Sequence, residues 1–188
     1  MKRSLLTLSL LVSGLVSSFL WDSLATAGEI VQLKNAREIY ASYESVTGVD
    51  GSKQELRDLF KLNADRLPKT GAPEELSSSV VLAATELSGA FCKQVITNEK
   101  VVSHGQRILF GDVDFNKGPS QFNGILKPIL IDHLAIEFWA REASAPEKQV
   151  LDRVINSASK GDDTPAMTEK VMLVVCTTYA TSLAFLLK

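Results

Sequence analysis

Reactive side chains are scarce in this 188-residue chain. Its two histidines, His104 and His133, have no second His or Cys at a ligand spacing, and Asp132 and Glu137 beside His133 form no metal-binding pattern, so no metal site is predicted. There is no Cys-x-x-Cys-His for covalent haem and no Gly-x-Ser-x-Gly nucleophile elbow. Lys and Arg number 20 against 22 Asp and Glu, a net charge of −2. Without a clustered basic surface there is nothing to displace counterions from phosphates, and nucleic acid is not an expected partner. Alternating apolar and polar runs are missing, as are internal repeats. No catalytic residue and no cofactor are predicted.

What is present begins with an export signal. Lys2 and Arg3 precede an apolar run from Leu5 to Leu20, and Ala25-Thr26-Ala27 supplies a small-x-small cleavage pattern, so residues 1–27 read as a signal peptide. The run approaches the roughly 20 residues that span a bilayer. An uncleaved anchor is therefore the alternative, against which stand the serines, Gly14 and the terminal Ala-Thr-Ala. Taking 27 from 188 leaves 161 residues, 28–188, the length of one domain. The expected location is the periplasm or the exterior of a bacterial cell, with no membrane span after cleavage.

The mature region holds Cys92 and Cys176. In an exported chain an even count points to a disulfide. Closing so long a loop is worth roughly 4–5 kcal/mol in the chain-entropy model. Two buried, reduced thiols are the alternative, because free Cys packs as a small hydrophobe.

Hydrophobic spacing predicts helices through the rest of the chain. Ala36, Ile39, Tyr40, Tyr43 and Val46 share one face between Leu33 and Thr47, with Gly48 as a left-handed stop. Ser52-Lys53-Gln54-Glu55 has the form of a capping box opening a second helix that Leu67-Pro68 ends. Residues 68–73, with two prolines and a glycine, form a loop. A third helix from Ser78 to Thr97 is rich in Val, Leu and Ala and is expected to be largely buried. Lys100 to Gln121 reads as a loop with at most one helical turn.

From Phe122 to Arg141 the face Ile125, Ile129, His133, Ile136 and Trp139 has a helical period, with Pro128 as a kink or a start. Ser144, Pro146 and Glu147 open a further helix that turns Val150, Leu151, Val154, Ile155 and Ala158 inward. Thr164-Pro165 begins the last helix, which runs to the C-terminus. Its apolar stretch from Val171 raises a membrane tail, but interrupting Thr and Ser residues favour a buried central helix.

Candidate chemistry is sparse. Asp112, Asp114 and Asn116 are spaced like calcium-loop ligands, but the glycine falls at the seventh position and Asn123 stands at the twelfth, so an Asx-stabilised turn is the expected reading. Glu86 is either a buried acid or a residue at an exposed edge. Tyr40, Tyr43, Phe138 and Trp139 read as core or as the lining of a groove.

Three stretches together resemble an uncharacterised helical region of exported bacterial proteins, some of which also carry a laminin-G-like sandwich domain. They are residues 39–49 with Ser45-Val46-Thr47-Gly48-Val49, the stretch Glu86-Leu87-Ser88-Gly89-Ala90-Phe91-Cys92, and Val175-Cys176-Thr177-Thr178. The resemblance covers most of the mature region. It implies one cysteine in a mid-chain helix and another in the last helix, and it implies no reaction. The 161 residues have no room for the sandwich domain, whose ligand role is not carried over.

The expectation is an all-α, compact bundle of five or six helices, its third and last helices forming the core joined by Cys92 and Cys176. Its expected role is that of an exported structural or interaction module that binds an envelope or extracellular macromolecule. Two rivals stand beside it. One is a small apolar-ligand binder with Phe110, Phe115 and Trp139 lining a pocket, and the other is a carboxylate-dependent hydrolase resting on abundant Asp and Glu.

Overall fold

The computed structural model describes residues 32–72 and 76–188, and the signal peptide expected over residues 1–27 lies outside the described residues. Local sequence explains where most helices start. Helix α1 (Ala36–Thr47) opens on a capping box in which Asn35 Oδ1 accepts the amides of Arg37 and Glu38, while Glu38 Oε2 accepts the amide of Asn35 at 2.8 Å. It stops at Gly48, whose φ of 62° is the left-handed geometry that glycine takes without strain.

Helix α2 (Gln54–Asn63) does not use the expected capping box. Its N-cap is Lys53, with no side-chain cap, and the Ser52 amide is donated instead to Asp50 Oδ1 at 2.8 Å. An Asx turn has outcompeted the cap. The helix also ends at Asn63, before Leu67, where Asn63 Nδ2 donates to Leu59 O and its Oδ1 accepts from Arg66.

Helix α3 (Ser78–Glu99) is capped by Ser77 and buries Ala83, Ala84, Leu87, Phe91, Cys92, Val95 and Ile96. Its length and composition would suffice to cross a membrane, but half of its apolar window is buried within the fold, and core helices share that composition. The segment after it forms two short 3-10 turns, His104–Gln106 and Pro119–Phe122, where at most one turn was expected.

Helix α4 (Leu126–Trp139) corrects the phase read from sequence. It buries Leu130, Ile131, Leu134, Ala135 and Phe138, and leaves Ile125, Ile129 and Ile136 exposed. Pro128 lies in its first turn, where the missing amide costs nothing, so it marks a start. Helix α5 (Ala145–Ala158) has the expected cap, with Ser144 and Glu147 reciprocally bonded, and buries Leu151 and Ile155.

The last helix is two. Helix α6 (Pro165–Ala180) breaks at Thr181 and Ser182 before a single turn, α7 (Leu183–Leu186). Side chains hold the break open: Tyr43 Oη donates to Ala180 O, and Trp139 Nε1 donates to Ser182 Oγ at 2.7 Å. The chain then pairs Leu187 with Leu33 in one antiparallel bridge, flanked by the Gln32–Lys188 backbone bonds.

The described residues are thus all-α, with seven helices, six of them of substantial length, and no strand beyond that isolated bridge. Helices α3 and α6 form the most extensive pairing, and Cys92 and Cys176 join them in a disulfide whose two residues are wholly buried. Around it, Tyr43 stacks on Phe185 at 5.4 Å and tilts against Phe91 at 5.6 Å.

Candidate functional site

Phe110 and Phe115 come together as a T-shaped pair 6.0 Å apart, both buried, with the Arg107 guanidinium over Phe115. Trp139 has other ring and hydrogen-bond partners, Tyr179 at 4.7 Å and the Ser182 hydroxyl. Tyr43, Phe138 and Tyr179 are core. Tyr43 Oη donates between the carbonyls of Ala84 and Ala180, and Tyr179 Oη donates to Ile131 O at 2.7 Å. Burial pushes both phenols well above their usual range.

The segment between α3 and α4 is held by polar anchors that its sequence does not advertise. Glu99, buried at the end of α3, accepts the amides of Ile108, Leu109 and Phe110, each at 2.8 Å. Three consecutive amides on one carboxylate form a backbone nest. Further along, Gln121 Oε1 accepts the Asp114 amide and its Nε2 donates to the carbonyls of Asp114 and Gly118. Thr168 of α6 donates to Lys117 O at 2.7 Å.

The candidate calcium loop is an Asx turn: Asp114 Oδ1 accepts the Asn116 amide, which lowers the carboxyl's pKa, and Oδ2 pairs with Lys117. Glu86 lies at the exposed edge, 3.3 Å from Arg66. His133 Nε2 donates to Ile108 O at 3.0 Å, and His104 is exposed in its 3-10 turn. Among the described residues no group of three His, Cys, Asp or Glu is placed to hold a metal ion.

Two surface features remain. The first is the outer face of α4, where Ile125, Ile129 and Ile136 are 79%, 44% and 51% exposed and Ile108, tethered to His133, is 49% exposed. Spacings of four and seven residues set the three on one side of the helix, along about 16 Å. Lys148 Nζ lies 2.7 Å from Asp132 Oδ1 in an ion pair that lacks hydrogen-bond alignment. Asp132 stands within the row, three residues after Ile129 and four before Ile136, and Lys148 balances its charge.

The second feature is a polar cleft of about 330 Å³ between the Pro119–Phe122 turn and the end of α5, lined by Ser120, Asn123, Asn156, Ser159 and Asp163 above Phe122. Asp163 Oδ1 accepts the Ser120 amide at 2.8 Å, which lowers the pKa of Asp163. No family matches the chain, and neither a curated protein nor a solved structure matches it.

Proposed function

We propose that the chain is an exported, disulfide-locked helical module that binds another protein of the bacterial envelope or exterior through the isoleucine row of α4. The row is the observation that carries the reading. Large apolar side chains gathered on one exposed helix face often mark an interaction site, whereas single exposed ones are ordinary. The Asp132–Lys148 pair within it carries no net charge, which suits a protein face of mixed apolar and polar groups in preference to an anionic surface. The Cys92–Cys176 bond supports the export half of the reading, because disulfides persist in oxidising compartments.

Photocrosslinking tests it in the exporting cell. A photoreactive residue at Ile129 should trap one protein that the same residue at Leu62, a lone exposed leucine on α2, does not trap. Ile136→Ser should abolish that adduct without changing export. Equal adducts from both positions, or none from Ile129, would overturn the interaction reading, and recovery of the chain with its leader in the cytosol would overturn the export reading.

A further inference from the structure

We propose that Asn123 is a site of spontaneous covalent modification, converting in the folded protein to aspartate and isoaspartate through a cyclic imide with Gly124. This goes beyond the protein-binding reading and depends neither on the isoleucine row nor on export.

The chemistry uses this chain and solvent water alone. The Gly124 amide nitrogen gives up its proton and attacks Asn123 Cγ, so that a new bond joins the two while the side-chain amino group leaves with a proton as ammonia. Water then adds to one of the two ring carbonyls. Breaking the bond from nitrogen to Cγ leaves aspartate with the main chain restored. Breaking the bond from nitrogen to the main-chain carbonyl carbon leaves isoaspartate, with the chain running through Cγ.

The chain has six asparagines, and the structure restrains the other five. Asn35 Oδ1 accepts two amides at the cap of α1. Asn63 and Asn156 each have both the side-chain oxygen and the side-chain nitrogen bonded. Asn98 Oδ1 accepts from Gln94 within α3, and Asn116, followed by Lys117, has its side chain bonded to Asp114. Asn123 alone precedes glycine. Its side chain is exposed and has no hydrogen-bond partner among the described residues.

Ring closure needs the Gly124 nitrogen beside Cγ. At the observed Asn123 ψ of 104° that nitrogen is turned away from the side chain, so the peptide between residues 123 and 124, planar in itself, has to flip. Three observations favour the flip. Neither the Asn123 carbonyl nor the Gly124 amide is hydrogen-bonded among the described residues, so no such bond is broken. Gly124 has a φ of 119°, and glycine takes either sign of φ about equally, which lets it absorb the compensating rotation. A Cβ on Gly124 would meet nothing within 4 Å, so the moving peptide has open space. The flanks stay in place, through the Asn123 amide on Ser120 O at 3.0 Å and the first turn of α4.

The product carboxylate lies two residues before Ile125, the N-cap of α4, which has no side-chain cap. Negative charge is favoured near a helix N-terminus, and the modified chain is therefore compatible with the fold.

Incubation of the full exported protein, folded and at mildly alkaline pH, tests the proposal by ion exchange and peptide mapping. A more acidic species should accumulate in which Asn123, ahead of every other asparagine, has become a mixture of aspartate and isoaspartate, the latter read by labelling with an isoaspartyl methyltransferase. Its rate should rise with pH, because the nitrogen has to lose its proton. Asn123→Gln, whose ring would need an extra methylene, should fold as the parent does and form the acidic species severalfold more slowly. Persistence of Asn123 in the folded protein after urea-unfolded chain has converted, aspartate without isoaspartate, equal conversion of Asn116 or Asn156, or an undiminished rate in Asn123→Gln would overturn it.

Discussion

The carboxylate of Glu99 accepts the backbone amide of Phe110, eleven residues further on, at 2.8 Å, and takes the amides of Ile108 and Leu109 as well. One side chain at the end of α3 thus sets the path of the next segment and the burial of Phe110. Hydrogen bonds to a charged acceptor contribute about 1.5–3 kcal/mol each. Glu99→Gln turns an NH2 group toward one of the three amides and should destabilise the fold by about 2–3 kcal/mol, read by urea denaturation. Hydrogen exchange at residues 108–110 should accelerate, and unchanged protection there would refute the anchoring role.

The Cys92–Cys176 bond spans 84 residues of sequence and joins the two central helices. Replacing both cysteines with alanine should cost about 2–5 kcal/mol. Because both residues are wholly buried, alkylation of the parent under reducing conditions should track global unfolding. Rapid labelling in the absence of denaturant would contradict the packing of α3 on α6.

Glu147 is held by Arg141 at 2.7 Å and by Ser144, and its carboxyl is pulled down to about 2 from an ordinary value near 4.5. A depressed folded-state pKa contributes stability that is fully present above about pH 4.5 and is lost as pH falls toward about 2. The urea midpoint should therefore fall across that window. Glu147→Gln should make its decline shallower, though not flat, since Asp114, Asp163 and other carboxyls are also lowered.

The chain has three tyrosines, and burial raises all of them. A raised folded-state pKa stabilises the fold below the unfolded value near 10, a contribution lost as pH rises beyond it. Phenolate absorbance should stay low at pH 10 and then appear together with loss of helix. Phenolate absorbance from all three rings at pH 10 in the folded protein would count against the bonds of Tyr43 to Ala84 and Ala180.

Much of this architecture was legible from residue spacing and turn chemistry. Gly48, the Ser144–Glu147 cap and the cysteine pair could each be read from a local rule. The phase of α4 could not, because Ile125, Ile129 and Ile136 compete with Leu130, Ile131 and Leu134 on a helix that is apolar all round. Only packing against neighbours chooses between the faces. The break after Ala180 is equally non-local, since Tyr43 and Trp139 impose it from other helices.

Glu99 carried a signal that spacing could have revealed. It falls three, four and seven residues after Ile96, Val95 and Cys92, on the buried face of α3, and an acid there needs partners. The cleft offered no such clue. Ser120 and Asn123, and Asn156 and Ser159, are each three apart, but nothing in the sequence says that these two segments and Asp163 meet, and Gly118-Pro119 and Gly161 mark only that the chain turns.

Leu33 and Leu187 are paired so that residues 32 and 188 leave from one end of the same antiparallel bridge. Tension applied through those two residues would unzip it bond by bond, since the pull acts across the ladder and not along it. Extension would then stop short of the full contour length: Cys92 and Cys176 remain covalently fastened, and the chain between them carries no load.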